Sequence, residues 1–446
     1  MKSGKIKSQF IHNDIRLNAG YFLNSDALNS RVIEINKDNS FPLEKVSTVW
    51  NPPIFKRQFC SPSERAVKYC QSSDVTNALE GSEVYINKLQ AIKVGCIVKE
   101  KQILVTGFGT IGNTRLVNEL SSGISYANNV CRITVNDDVP YGFIYAFLTS
   151  KYGKSQLNKN ASGSVVRYIE APGINKTLVP NLTKVTQEKT HNLIVEASKL
   201  RVRANVMLTE AIRIFDDLSA EYIAGTFVTK KIKINKVSIN KKRFDANYNV
   251  ISSLVEEKMK NTKFVTIKSQ TKGIFIGPRS KRNYVSSGVP FLSTSEMQKA
   301  NPTATEKFIN HKSAKDFAVR EGWLLTTRSG TLGETVFVFP VIDNYAVSED
   351  AIRIVLDEDA EFTNRYLFAF LKSNIGRNSL LAGSYGSVIL HLNEEYVGDI
   401  KVPLFESKFN EIEEKVAGYI ENFNQAILNE NEAINLIEKE IDQWQQ

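Results

Sequence analysis

Gly107, Gly109 and Gly112 follow a β-rich run in ILVTGFGTIGNTRLV, residues 103–117, at G-x-G-x-x-G spacing. A loop of that kind cradles the pyrophosphate of a dinucleotide, provided a helix follows at once to supply free amides and a favourable dipole. Here NTRLVNELSSGI follows, and a glycine soon interrupts it. Cofactor binding is therefore not expected, and the later glycines are read as geometry for a strand, tight turn, strand element.

Other candidate chemistries are incomplete too. In WNPPIF, residues 50–55, Asn51-Pro52-Pro53 resembles the catalytic tetrapeptide of adenine N6-methyltransferases, but Ile54 stands where an aromatic ring would stack on a flipped base. A proline-fixed extended segment at the edge of the first globular unit is the expectation instead. His12, His191, His311 and His391 are accompanied by no G-x-S-x-G elbow, H-E-x-x-H or paired-carboxylate pattern. Cys60, Cys70, Cys96 and Cys131 match no zinc spacing and read as reduced structural thiols. No catalytic constellation, resident cofactor or metal site is expected.

Basic residues are more informative. Lys+Arg number 57 against 48 Asp+Glu, and the net charge of +9 favours a polyanionic partner. Lys56 and Arg57 follow the double proline, while GPRSKRNY, residues 277–284, sets Arg279, Lys281 and Arg282 beside Tyr284. Such loops donate to phosphates and to guanine edges. KKIKINKVSINKKR, residues 230–243, reads equally as a solvated linker or a phosphate-tracking strap. No apolar run reaches the roughly 18 residues that span a bilayer, and the N-terminus lacks the apolar core of a secretion signal, so the cytoplasm is the expected location.

The elements that position these residues are written twice. RLNAGYF (16–22) recurs as RFDANYN (243–249), and VKYCQSSDV (67–75) as VPFLSTSEM (289–297). The opening glycine stretch returns as LLTTRSGTLGETVFV (324–338), with Gly330 and Gly333 for Gly109 and Gly112 but Arg328 for Gly107. YAFLTSKYG (145–153) pairs with FAFLKSNIG (368–376), ASGSVVRYI (161–169) with SYGSVILHL (384–392), and Pro180 with Pro403. Matches in unbroken order at a nearly constant offset imply two homologous halves. Short β-rich runs alternating with turn residues and a few helical stretches make the globular parts α+β.

Each half ends in a long amphipathic helix. Beyond Thr186, Leu193, Leu200, Met207 and Ile214 form one row and Ala197, Ala204, Ala211 and Leu218 the other. Beyond Glu406, the rows are Ile420, Ile427, Ile434, Ile441 and Val416, Phe423, Ile437, Trp444. Rods of roughly 55–60 Å with one apolar seam need a partner, and the simplest is the other rod. The expected organisation is a globular unit over 1–185, a helix over 186–225, a second unit over 226–404 and a second helix over 405–446.

This layout resembles the specificity (S) subunit of type I restriction-modification systems over the whole chain. The arginine-led RLNAGYF and RFDANYN, the Gly-Thr-x-Gly turns at 109–112 and 330–333, the GSV segments and the prolines before each helix agree with it. The resemblance implies two target-recognition domains, each reading half of a split DNA sequence, spaced by an antiparallel coiled coil. It also implies partners: double-stranded DNA, two methylase (M) subunits that use S-adenosylmethionine, and restriction (R) subunits that use ATP and Mg, with no membrane and no catalysis by this chain. The expected DNA contacts are Lys56, Arg57, Asn113 and Arg115 in the first unit, and Arg279, Lys281, Arg282, Arg328 and Tyr385 in the second. The competing readings are a coiled-coil scaffold that does not touch DNA and a nucleotide-dependent oxidoreductase or self-contained methyltransferase. The two halves' loops differ, so an asymmetric target is expected.

Overall fold

The computed structural model describes residues 24–78, 82–162, 167–219, 248–249, 262–279 and 281–445. RLNAGYF, most of RFDANYN, the first GSV segment and the 230–243 basic run lie outside them. The chain divides into two compact units, Met1–Val202 with Gln425–Gln446, and Arg203–Asn424, and both mix helix and sheet.

In the first unit, helix α1 (Ser25–Ile35) starts where the Asn24 side chain accepts a hydrogen bond from the Ala27 amide at 2.7 Å. Strands β1 (Ser40–Pro42), β2 (Ser47–Trp50), β3 (Ala66–Cys70) and β4 (Tyr85–Asn87) precede the short helix α2 (Lys88–Lys93). β5 (Ile103–Thr106), β6 (Thr114–Leu116), β7 (Ser125–Tyr126) and β8 (Val130–Val135) follow, then α3 (Tyr141–Thr149), α4 (Lys151–Lys159), α5 (Ala171–Asn175), β9 (Leu178–Pro180) and the long α6 (Lys184–Ser219). One sheet has the order β2-β8-β5-β6 and a second β4-β3-β7, while β1 pairs with β9. The apolar run of β5 is buried at every position, as a central strand covered on both faces must be.

The second unit repeats this plan. β10 (Phe264–Thr266), β11 (Thr271–Ile276), β12 (Tyr284–Val285), β13 (Val289–Leu292), β14 (Phe308–Ile309) and α7 (His311–Ala314) lead to β15 (Leu324–Thr327) and β16 (Thr335–Phe337). After β17 (Ala346–Val347) and β18 (Ala351–Leu356) come α8 (Asn364–Lys372), α9 (Asn374–Ala382), α10 (Glu394–Asp399), β19 (Lys401–Pro403) and the long α11 (Phe409–Asp442). Sheet orders are β11-β18-β15-β16 and β12-β14-β13-β17, with β10 paired to β19. β3 pairs β7 in parallel in the first unit, as β13 pairs β17 in the second.

The corner between α8 and α9 explains the glycine in FAFLKSNIG. Ser373 ends one helix and caps the next, accepting from the Gly376 amide at 3.3 Å, so the two helix axes meet with backbones touching. A Cβ on Gly376 would sit 1.9 Å from the Phe370 carbonyl oxygen, and one on Gly153 of the matching first-unit corner 2.1 Å from that of Phe147. Backbone cannot yield as a flexible side chain does. Gly376→Ala should therefore cost about 1–3 kcal/mol, read from the second unit's urea-unfolding midpoint.

Inside the first unit, segments of α6 and α11 run antiparallel. The Thr183 amide donates to Glu440 at 3.0 Å, Lys189 pairs with Glu432 at 2.9 Å, and Ala197 and Leu200 pack on Ala426. Inside the second unit, Lys415 meets Glu210 at 2.7 Å and Asn422 contacts the Met207 sulfur. The buried rows are shifted from those expected. Ala197, Ala204, Ala211 and, from the other row, Leu200 are buried as foreseen, but Ile194, Leu208 and Phe215 are buried with them, while Leu193, Met207 and Ile214 are only half-buried; the side chain of Leu218 lies outside the description. On α11 Val416, Phe423 and Ile437 are buried as foreseen, together with Ile412, Tyr419, Ala426 and Ala433; Ile427 and Ile441 are buried too, but Ile420 and Ile434 stay half-buried. A purely apolar count misplaces the seam because charged residues fill one place in each row. Those residues are Arg201 and Glu430, 2.5 Å apart, with the Tyr145 hydroxyl donating to Glu430 at 2.6 Å. Burial, with Glu430 alongside, pushes the Tyr145 phenol far up; desolvation lowers the Arg201 guanidinium, but Glu430 outweighs it and keeps Arg201 above its usual range.

Candidate nucleic-acid interface

Arg132 and Arg353 hold each unit's two sheets together. Both lie in the middle of an apolar strand, β8 or β18, and both are almost fully buried. The Arg132 guanidinium donates to the carbonyls of Ala127 (3.0 Å), Val130, Cys96 (3.0 Å) and Tyr126 (2.7 Å), the last on β7 of the neighbouring sheet. Arg353 does the same to Ser348 (3.2 Å), Ala351 (2.7 Å), Phe317 (3.4 Å) and Val347 (2.6 Å), the last on β17. Burial lowers both pKa values to about 10, so both forks remain charged at neutral pH.

From each clamped frame projects the glycine turn. Gly109, Gly112, Gly330 and Gly333 all have φ between 74° and 82°, the left-handed region where a side chain is strained, so these positions are set by backbone geometry. No helix follows either turn; β5 and β6, like β15 and β16, pair antiparallel across it. Thr106 Oγ1 donates to the Thr110 carbonyl at 2.5 Å and accepts from the Asn113 amide at 3.0 Å; Thr327 repeats this with Thr331 (2.7 Å) and the Glu334 amide (3.3 Å).

A narrow loop docks on each turn through matching hydrogen bonds. In the first unit the Gly107 amide donates to Asn129 O (2.9 Å), Ile169 N to Gly107 O (2.9 Å), and Ser162 and Tyr168 exchange both backbone bonds (2.8 and 2.9 Å). In the second, Arg328 N donates to Asp350 O (2.7 Å), Leu392 N to Arg328 O (2.9 Å), and Tyr385 and His391 exchange theirs (3.0 and 2.8 Å). The structure thus joins Arg328 and Tyr385 at one surface. Between Tyr385 and His391 the loop tip is apolar and solvent-facing, Val388 being 93% exposed.

The basic segments are anchored separately. Arg57 donates from Nε to the Tyr69 hydroxyl at 2.5 Å with its guanidinium 5.4 Å from that ring, and Gln90 ties down the backbone at Lys56 (2.8 Å) and Gln58 (3.0 Å). Arg282 lies 5.0 Å over Phe291, the residue matching Tyr69, and pairs with Glu349 at 2.5 Å. One arginine per segment is held on the core by cation–π contact. Lys56, Arg279 and Lys281 are exposed beside them. Contacts of Lys56 and Arg57 run to Gln90 and Tyr69, those of Asn113 to Thr106, so no shared contact joins these three.

Arg115 is turned inward, against expectation. It is 7% exposed, because β6 alternates and position 115 faces in, and its Nη1 donates to Val75 O (3.0 Å) and Asn77 O (2.9 Å). Its fork is engaged in holding the 72–76 turn. Asn51 is likewise structural: its amide donates to Asn128 O (3.2 Å) and its oxygen accepts from the Ala171 amide (3.1 Å). Cys70, Cys96 and Cys131 are buried thiols, and burial raises Cys70 and Cys131 to about 11; Cys60 is exposed. Among the described residues no cluster of His, Cys, Asp and Glu has metal-binding geometry, and no helix is long and apolar enough to cross a membrane.

No protein-family model matches the sequence, and no curated protein matches it. Solved structures do match. The S subunit of a type I restriction-modification system from M. genitalium is 12% identical, with 91% of this chain and 94% of that one covered at a TM-score of 0.31. The HsdS subunit from Thermoanaerobacter tengcongensis is 14% identical over 91% and 95%, at 0.28. The chain is similar to type I S subunits. A third match, described as the structural basis of complex assembly and conformational transition of the type I restriction-modification system, is 13% identical over 90% and 97%, at 0.27.

Proposed function

We propose that this chain is the DNA-recognition subunit of a type I restriction-modification complex. Each unit carries one target-recognition domain, roughly residues 1–185 in the first and 226–404 in the second. Each binds one half of a split, asymmetric target, and the two long helices, paired as an antiparallel coiled coil, set the spacing. Adenine N6 methylation with S-adenosylmethionine, and ATP- and Mg-dependent restriction, belong to methylase and restriction subunits that dock on it; this chain contributes no catalysis. The observation that carries the reading is the duplicated turn-and-loop frame, built from the same hydrogen bonds in both units but dressed with different side chains. A catalytic duplication would repeat the side chains; a reader of two unlike half-sites keeps the frame and varies what it presents. Lys56, Arg57, Asn113, Arg279, Lys281, Arg282, Arg328 and Tyr385 are the proposed contacts, with Arg115 serving the fold.

Co-expression with a methylase subunit, followed by sequencing of genomic DNA for modified adenines, should reveal a two-part motif. Exchanging residues 1–185 for another S subunit's unit should change one part only. Gel shifts of the complex should weaken steeply with salt, since neutralised phosphates release counterions. Salt-independent binding, or a motif indifferent to the exchange, would overturn the proposal in favour of a scaffold.

A further inference from the structure

The two frames are alike in backbone and opposite in chemistry. In the second unit the turn carries Arg328 and Ser329, and the docked loop carries Tyr385 and His391. Ser329 Oγ and His391 Nδ1 lie 2.8 Å apart, and the Tyr385 and His391 rings 5.8 Å apart. Arg328 is half-buried, on the turn beside Ser329. In the first unit the corresponding residues are Gly107, Phe108, Ser162 and Tyr168. Phe108 and Tyr168 stack at 5.4 Å with planes 13° apart, and Phe108 is 36% exposed.

The fold does not call for this difference, because both frames make the same backbone hydrogen bonds. Arginine's fork matches guanine O6 and N7, and the Ser329–His391 pair adds polar groups beside it. The aromatic pair offers no cation; its complement is an apolar group on a base edge, and in the major groove that is the thymine methyl. Building on the DNA-recognition reading above, we propose that these matched positions determine specificity: Arg328, with Ser329 and His391, requires a G·C pair in one half-site, and Phe108 with Tyr168 favours an A·T pair in the other.

The test is the methylation motif written by the full chain with its methylase subunit. Arg328→Ala should relax one guanine position in the second unit's half-site and lower methylation there about tenfold to a hundredfold, with the first half-site unchanged. Arg328→Gln should shift that position towards adenine, whose N6 and N7 suit an amide, an outcome that a residue serving only the fold would not produce. Phe108→Ser with Tyr168→His should alter only the first half-site. If the parent chain writes a split motif while Arg328→Gln and Arg328→Ala, melting as the parent does, write the same motif at the same rate, this assignment fails and the DNA-recognition reading survives. A parent complex that writes no split motif overturns both.

Discussion

Replacing Glu430 with alanine should destabilise the first unit by about 3–5 kcal/mol, because it takes the carboxylate partner from an Arg201 whose side chain is only 13% exposed. The Tyr145 hydroxyl loses its acceptor in the same step. Unfolding by urea, followed by a first-unit probe, measures this directly. The triple change Glu430→Leu, Arg201→Met, Tyr145→Phe should recover most of the loss, since a buried ion pair replaced by packed apolar groups is often neutral or better. Natural precedent lies in the second unit, where the residue matching Tyr145 is the buried Phe368. What the triple variant should lose is uniqueness: a single buried polar contact fixes register along a helix pair, and an all-apolar seam tolerates sliding. A triple variant as unstable as Glu430→Ala would show that the stabilisation comes from the ions themselves.

Arg353→Met should be of similar severity. The carbonyls of Ser348, Ala351, Phe317 and Val347 would lose the guanidinium between two sheets, those of Ser348 and Phe317 keeping a backbone donor from Ala351 (3.2 Å) and Val347 (2.9 Å). A buried acceptor left unsatisfied costs on the order of 1–3 kcal/mol, so the second unit is expected to lose stability and hydrogen-exchange protection in β17 and β18. Arg353→Lys should rescue only part of this, because an ammonium cannot span four acceptors in a planar fork. The effect reaches the proposed DNA surface. Asp350, whose carbonyl accepts from the Arg328 amide, lies inside the segment that Arg353 grips, so Arg353→Lys should impair both stability and DNA binding. Arg328→Ala should impair binding alone.

Much of this was legible in the residues. The left-handed glycines of both turns follow from Gly-Thr-x-Gly occurring twice with a strand, not a helix, behind it. The clamp could have been found the same way: VCRITV and AIRIVL each set an arginine in the middle of a buried strand at matched positions, and an arginine inside an apolar run must be satisfied by something. His391 and Tyr168 were paired by the repeat, yet only the fold shows that they close the loop beside the glycine turn. Arg115 was expected at the DNA because it lies just past the glycine turn, whereas the strand pairing of β6 decides which way its side chain points. The helix seams were shifted because Arg201 and Glu430 are complementary only when both helices are present together, a fact held by neither helix's pattern alone.

The first unit counts Gln425–Gln446 among its own residues, and Ala433, Ile437 and Ile441 belong to the same core as Ile33, Phe143 and Ile194. That core is thus completed by a stretch synthesised about two hundred residues after the rest of the unit. A nonsense mutation near codon 425 is therefore expected to destabilise the N-terminal unit although residues 1–202 are still made, and limited proteolysis of the truncated chain would show it.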